Sequence, residues 1–211
     1  MIDPGRFPGF IVTDHPLKGL YLTRHYREGS DPFAVISDLP RETAIELCTK
    51  FASQRRVGDG SGGQAAYFDG RIETENWLRE SAQNAGVEIK KQNPVYFTLT
   101  TDDQTLKAHD GMKAVSIPAE QADLKSCSFT FGDSMGNRTS NAPPESAHPL
   151  QDAVLNAGQA AKAIATYGIA GDYLNGGRYI EVQMWAQPDE PRAAAVTSAK
   201  TSPKISSSAT L

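Results

Sequence analysis

The sequence predicts an α+β fold, a mostly antiparallel sheet of short strands with about three helices packed on it. Short runs in which apolar and polar residues alternate, such as Pro94–Thr100, have the two-residue period of strands. Three longer segments carry apolar residues at helical spacing. These helices do not alternate regularly with the strands, as they would in βαβ units, and this arrangement indicates the α+β class. About seven strands are expected in one domain.

The first part of the chain predicts short strands followed by a helix. Phe10–Val12 and Leu20–Thr23 indicate two strands, and Phe33–Ile36 is a third short apolar run. Asp38 is a suitable N-cap for a helix that ends near Arg55, because Pro40 then falls in the first turn, where its missing N–H is not needed.

The middle of the chain predicts a second helix and three strands. Asp69 can cap a helix over Asp69–Asn84, and Gly86 suits the position just after it. In the strand Pro94–Thr100, apolar and polar side chains point to opposite faces. Ala114–Ile117 and Ser126–Phe131 indicate two further strands.

The last third predicts a long loop, an alanine-rich helix and a final strand. Residues 132–149 are rich in Gly, Ser, Asn and Pro, and a loop of this length is typically functional or mobile. Leu150–Tyr167 has helical spacing, and Gly168 is placed to end it. In the strand Tyr179–Trp185, we expect the core side chains to be Ile180, Val182 and Met184.

Composition limits the classes of protein to which the chain can belong. Its 211 residues fit one domain over residues 1–187 with a disordered tail over 188–211 that is rich in Ala, Ser and Pro. A formal charge of −4 argues against a nucleic-acid partner. The sequence has neither an apolar run of about 20 residues nor a signal peptide, so we expect no membrane association and a cytoplasmic location. Cys48 and Cys127 are then expected to be buried free thiols.

Glu181 is the strongest candidate for a catalytic carboxylate. It lies on the final strand, and strand alternation places it on one face with Tyr179, Gln183 and Trp185. A carboxylate between aromatic and amide side chains can line a polar cleft. The alternative is the solvated face of an edge strand.

The order of His25, Tyr96 and Glu181 resembles ADP-ribosyltransferases of the subclass similar to diphtheria toxin. The resemblance implies a reaction at the nicotinamide–ribose bond of NAD, by transfer or hydrolysis. It implies that the His holds the ribose, the Tyr stacks on nicotinamide and the Glu stabilises the oxocarbenium ion. Arg24 and Arg27 flank His25 and are expected to bind phosphate. The alternative is a salt-bridged strand end.

A second lead is the stretch Phe131–Met135, which reads Phe-Gly-Asp-Ser-Met. It resembles the Gly-Asp-Ser block of SGNH esterases and lipases, which implies a nucleophilic Ser134. His148, with Glu145 as the acidic residue, resembles the closing block of those enzymes. The alternative is a turn in which Asp and Ser side chains bind local backbone groups.

Two further possibilities concern metals and partners. His15, His25, His109 and His148 do not stand at metal-ligand spacing, so we expect no metal site. The competing functional class is a non-catalytic binding or regulatory module, with residues 132–149 in its partner surface.

Overall fold

A computed structural model of the chain describes residues 16–52, 63–101, 112–139, 149–169 and 179–188. These residues form one five-stranded antiparallel sheet and four α-helices, which confirms the predicted α+β class. The predicted strand Phe10–Val12 and residues 189–211 of the predicted tail lie outside the described ranges. The strands are β1 (Tyr21–Arg27), β2 (Val95–Thr100), β3 (Met112–Pro118), β4 (Cys127–Phe131) and β5 (Ile180–Met184). The helices are α1 (Arg41–Ala52), α2 (Gly63–Asn84), α3 (Ser134–Thr139) and α4 (Ala157–Tyr167).

The strand order across the sheet is β3-β1-β2-β5-β4. The last described strand, β5, therefore lies inside the sheet, with β2 on one side and β4 on the other. Glu181 pairs with Thr98 on β2 and with Thr130 on β4. Glu181 is thus on an interior strand, and the sequence-based alternative of a solvated edge strand is wrong.

One face of the sheet carries the main hydrophobic core. Side chains that alternate along the strands, such as Leu22, Phe97 and Phe129, are almost fully buried there together with residues of α4. The predicted inward set of β5 is confirmed, because Ile180, Val182 and Met184 all belong to this core.

The other face of the sheet is polar. Strand pairing aligns one residue from each strand in a row that crosses all five strands, and each of these residues carries an oxygen on its side chain. The row consists of Ser116, Thr23, Thr98, Glu181 and Thr130. All of these side chains except that of Thr98 form side-chain hydrogen bonds with other described residues on this face, where the opposite face has apolar contacts.

Helix α2 packs beside this polar face and begins earlier than the sequence predicts. It starts at Gly63, so Asp69 lies inside the helix and binds Arg41 of α1 at 2.7 Å, where an N-cap was expected. A stripe with alternating spacings of three and four residues runs along the helix: Phe68, Arg71, Glu75, Leu78 and Ala82. Leu78 and Ala82 contact the cluster around Trp185, which follows β5. Glu75 occupies a buried position of this otherwise apolar stripe, which is unusual for a carboxylate.

Two other expectations change, and a third is confirmed. Phe33–Ile36 is no strand; Phe33 and Val35 are buried in a turn, and Ile36 begins a short 3₁₀ turn that ends at Asp38. The helix expected over Leu150–Tyr167 starts only at Ala157, because Asn156 caps it through a reciprocal pair of hydrogen bonds with Gln159. The predicted stop at Gly168 is confirmed, with φ of 79°.

The remaining features of the fold concern its cysteines and the character of its helices. Cys48 and Cys127 are both buried and free, as the sequence predicts. Within the described ranges, no helix combines the length and the apolar character that crossing a bilayer requires.

Leu22→Ala should lower the free energy of unfolding by about 2–5 kcal/mol, because it removes a fully buried side chain from an interior strand. Urea denaturation measures this loss. Leu39→Ala is the matched control, since Leu39 is 38% exposed, and it should cost below about 1 kcal/mol. Equal losses for the two variants would contradict the position of the core.

Candidate functional site

The candidate site is centred on Glu181, which is 9% exposed on the polar face of the sheet. Ser134 Oγ donates a hydrogen bond to Glu181 Oε1 at 2.6 Å, and Gln183 Nε2 donates to the same oxygen at 2.9 Å. The Tyr179 hydroxyl lies 3.5 Å from Oε2. The close contacts therefore converge on Oε1, and the interaction at Oε2 is at the distance limit for a hydrogen bond.

The surroundings of Glu181 raise its pKa from 4.5 to about 7. Burial is the main cause, because it disfavours the charged form. The hydrogen bonds from Ser134 and Gln183 oppose this increase, and the negative charge of Asp133 adds to it. Near neutral pH, both forms of the carboxyl group are populated, which is the condition that favours proton transfer.

Ser134 reaches Glu181 from a turn that connects a strand to a helix. Strand β4 ends at Phe131, Gly132 adopts φ of 99°, and Ser134 is the first residue of α3. Asp133 Oδ1 accepts hydrogen bonds from the backbone N–H groups of Met135 and Gly136, at 2.9 and 3.1 Å. The sequence-based alternative is thus right for Asp133, which binds local backbone. It is wrong for Ser134, whose hydroxyl points to Glu181.

The residues from Gly132 to Gly136 read Gly-x-Ser-x-Gly. On a sharp turn from a strand into a helix, this pattern presents a serine as a nucleophile in many hydrolases. The Gly-Asp-Ser block covers only the first three of these residues, and Gly136 completes the longer pattern. The strand–turn–helix context found here is the context that the longer pattern requires.

A buried chain of polar side chains holds Glu181 in place. Gln183 Nε2 also donates to Thr130 Oγ1 at 3.0 Å, while Gln183 Oε1 accepts from Ser128 Oγ at 2.8 Å. Trp185 Nε1 donates to Ser128 Oγ at 2.9 Å. Because each of these side chains is fixed by another, the amide of Gln183 presents a fixed donor to the carboxyl group.

Tyr96 and two charged residues of α2 form a second cluster next to Glu181. Tyr96 pairs with Gln183 across β2 and β5, so it is a diagonal neighbour of Glu181, about 7 Å away between Cα atoms. The Arg71 guanidinium lies over the Tyr96 ring, 4.7 Å from its centroid, and Arg71 Nε is 2.9 Å from Glu75 Oε1. Burial raises the pKa of both Tyr96 and Glu75. One face of the Tyr96 ring is therefore covered by Arg71 and is not open for stacking on nicotinamide.

The predicted phosphate-binding group of Arg24, His25 and Arg27 is divided by the strand. The sequence-based prediction ended the strand at Thr23, but β1 continues to Arg27, so alternation places Arg24 on the face opposite to His25 and Arg27. The Arg24 guanidinium donates to the carbonyl oxygens of Tyr96 and Ala34, at 3.0 and 2.6 Å. Burial, and next the nearby Arg71, lowers the pKa of Arg24 to about 10. Arg24 therefore has a structural role, because it links β1 to β2 and to the segment that contains Ala34.

His25 shares the polar face but does not approach Glu181. It pairs with Ala114 on β3, and β1 is two strands from β5, a separation of roughly 10 Å. Arg27 lies two residues further along β1, opposite Met112. Of the site residues that the sequence predicts, the structure thus brings Tyr96 and Glu181 together and leaves His25, Arg24 and Arg27 apart from Glu181.

The remaining sequence-based candidates fall largely outside the described residues. His148 and Glu145 are outside the described residues, so a role for them beside Ser134 stays a prediction. The 132–149 loop contains the helix α3, and its residues 140–148 are also outside the described ranges. Among the described residues, no group of three or more His, Cys, Asp or Glu side chains is placed to hold a metal ion.

Sequence reasoning missed Arg71 and Glu75 as neighbours of the site. The available signal was their spacing, because both fall on the buried stripe with Phe68, Leu78 and Ala82. An acidic residue placed on an apolar stripe, four residues after an arginine, indicates a buried ion pair.

Comparisons of the chain with models of protein families, with curated proteins and with solved structures give no match. The functional conclusion therefore rests on the geometry of the site.

Glu181→Gln should change how stability depends on pH. The folded-state pKa of about 7 is above the ordinary 4.5, so the stabilising contribution of the wild-type carboxyl is complete below pH 4.5 and is lost as the pH rises through 7. Relative to the Gln variant, the wild type should lose on the order of 3 kcal/mol of unfolding free energy between about pH 4.5 and 8. Urea denaturation across this range measures the difference, and parallel curves for the two proteins would contradict a raised pKa.

Proposed function

We propose that the protein is a serine-dependent hydrolase or transferase that acts on esters, with Ser134 as nucleophile and Glu181 as general base. The observation that carries this proposal is the 2.6 Å hydrogen bond from Ser134 Oγ to Glu181 Oε1. A nucleophile within hydrogen-bond reach of a base, which is itself oriented by a third group, is the signature of an activated hydroxyl. Here Gln183 is the orienting group.

The protonation state of the base also supports this role. A carboxylate with a pKa of about 7 is a stronger base than an ordinary glutamate, and it is substantially ionised at neutral pH. The direction of the hydrogen bond is the productive one, because the hydroxyl donates to the carboxylate that would take its proton.

The reaction would run in two stages. Ser134 Oγ attacks the carbonyl carbon of the ester while Glu181 Oε1 takes the hydroxyl proton; the bond to the leaving alcohol oxygen then breaks, and Glu181 returns the proton to that oxygen. A water molecule, or an acceptor alcohol in a transfer reaction, next attacks the acyl group on Ser134. Glu181 takes the proton of the attacking hydroxyl and returns it to Ser134 Oγ, so the enzyme is regenerated.

Hydrolysis of p-nitrophenyl acetate tests this proposal. Ser134→Ala should lower kcat at least about 10³-fold, and Glu181→Gln about 10²–10⁴-fold. Ser126→Ala is the matched control, because Ser126 is equally buried but binds Asp123 at the opposite end of β4. The wild-type kcat/KM should rise with pH through an apparent pKa near 7. Activity that survives both site substitutions would overturn the proposal.

A second candidate is cleavage of the nicotinamide–ribose bond of NAD. The observation in its favour is that Tyr96 and Glu181 lie on adjacent strands, with Glu181 buried where it would stabilise a developing cation. In this reaction Ser134 orients the carboxylate and forms no covalent bond. The positions of His25 and Arg24 leave the ribose and phosphate contacts to other residues.

Release of nicotinamide from NAD separates the two candidates. If NAD is the substrate, Glu181→Gln should abolish release, whereas Ser134→Ala should lower it by only about tenfold, the effect of losing one hydrogen bond. High-performance liquid chromatography of the products measures this. If wild type releases no nicotinamide, the NAD candidate is rejected, and if it turns over neither NAD nor the ester, the non-catalytic binding module becomes the better description.

A further inference from the structure

Beside Glu181, the polar face of the sheet has a part that is only half-buried by the residues that the structure describes. Thr98, Thr100 and Ser116 are only half-buried, whereas Thr130 and Ser128 on the other side of Glu181 are fully buried. The half-buried residues belong to β2 and β3, whereas Thr23, the residue of β1 in the same row, is buried. A ligand that reaches Glu181 across the sheet must therefore pass over these hydroxyl side chains.

We call the surface formed by the half-buried Thr98, Thr100 and Ser116 the hydroxyl floor, and the buried Thr23 links Thr100 to Ser116. Thr23 Oγ1 is 2.8 Å from Ser116 Oγ and 3.1 Å from Thr100 Oγ1. The Thr100 hydroxyl also lies 3.4 Å from the carbonyl oxygen of Tyr21.

Thr98 is the member of the floor next to the reacting groups. It pairs directly with Glu181 across β2 and β5, which brings their Cβ atoms within about 5 Å. Its side chain is half-buried, and within the described part of the chain its hydroxyl makes no side-chain hydrogen bond. A polar group of the substrate beside the reacting ester would be within reach of this hydroxyl.

We propose that the hydroxyl floor binds the neutral sugar portion of an O-acylated carbohydrate, and that Thr98 is a specificity residue for it. This inference rests on the proposed ester chemistry at Ser134. The floor carries no formal charge and offers both donors and acceptors, which matches a polyol, a ligand with the same two kinds of group. An anionic ligand would instead require a cationic surface.

The test compares two acetate esters, 6-O-acetylglucose and p-nitrophenyl acetate, which lacks a sugar. Thr98→Val keeps the β-branched shape and removes the hydroxyl; it should lower the ratio of kcat/KM for the sugar ester to that for p-nitrophenyl acetate by about tenfold. Thr98→Ser keeps the hydroxyl and should retain the ratio. Thr166→Val is the control, since Thr166 bonds within α4 on the other side of the sheet, and it should leave both activities unchanged.

The floor and the ester chemistry fail in distinguishable ways. If the wild type hydrolyses p-nitrophenyl acetate but Thr98→Val leaves the ratio unchanged, the floor assignment is wrong and the proposed function stands. If no ester is hydrolysed, the proposed function is wrong, and saturation-transfer NMR with methyl β-glucoside tests the floor by itself. Binding by wild type that is lost in Thr98→Val would support the floor, and no binding by wild type would overturn it.

Discussion

A carboxyl group that is removed from water must either be neutral or be surrounded by hydrogen-bond donors, and Glu181 meets each of these conditions in part. Burial on the sheet favours its neutral form, while the Ser134 hydroxyl and the Gln183 amide favour its charged form. Burial is the larger of the two effects, so the pKa stays raised, at about 7. The same contact that limits the cost of burying the carboxyl brings a serine hydroxyl to it in the orientation that general-base chemistry uses.

Helix α2 is adapted to the polar face beside which it lies. An entirely apolar stripe would leave Tyr96 and the neighbouring oxygens without polar partners, which is costly in a buried layer. Arg71 and Glu75 occupy two positions of that stripe as an ion pair, with Arg71 over the Tyr96 ring. A buried pair of this kind contributes little net stability, but either member alone would be an unpaired charge, so the pair fixes how α2 sits on the sheet.

Local patterns predict much of this fold and little of its site. Alternation alone identifies the core side chains of β2 and β5, because one apolar face suffices to set a strand's orientation. Nothing local shows that β5 lies between β2 and β4, and that position is what buries Glu181. The contact between Ser134 and Glu181 joins residues 47 positions apart, so each appeared as a separate lead. The group of Arg24, His25 and Arg27 is divided for a local reason: strand β1 continues through all three residues, so alternation places Arg24 on the opposite face.

The position of β5 has a consequence for the way the protein is made. Until residues 180–184 leave the ribosome, β2 has one unpaired edge and β4 lacks the strand with which it pairs; β5, which joins them, is the last described strand to be synthesised. Open edges of this kind recruit other chains, so nascent or truncated polypeptides that end before Ile180 are prone to aggregate. Any fragment used to study the protein must therefore extend through Met184.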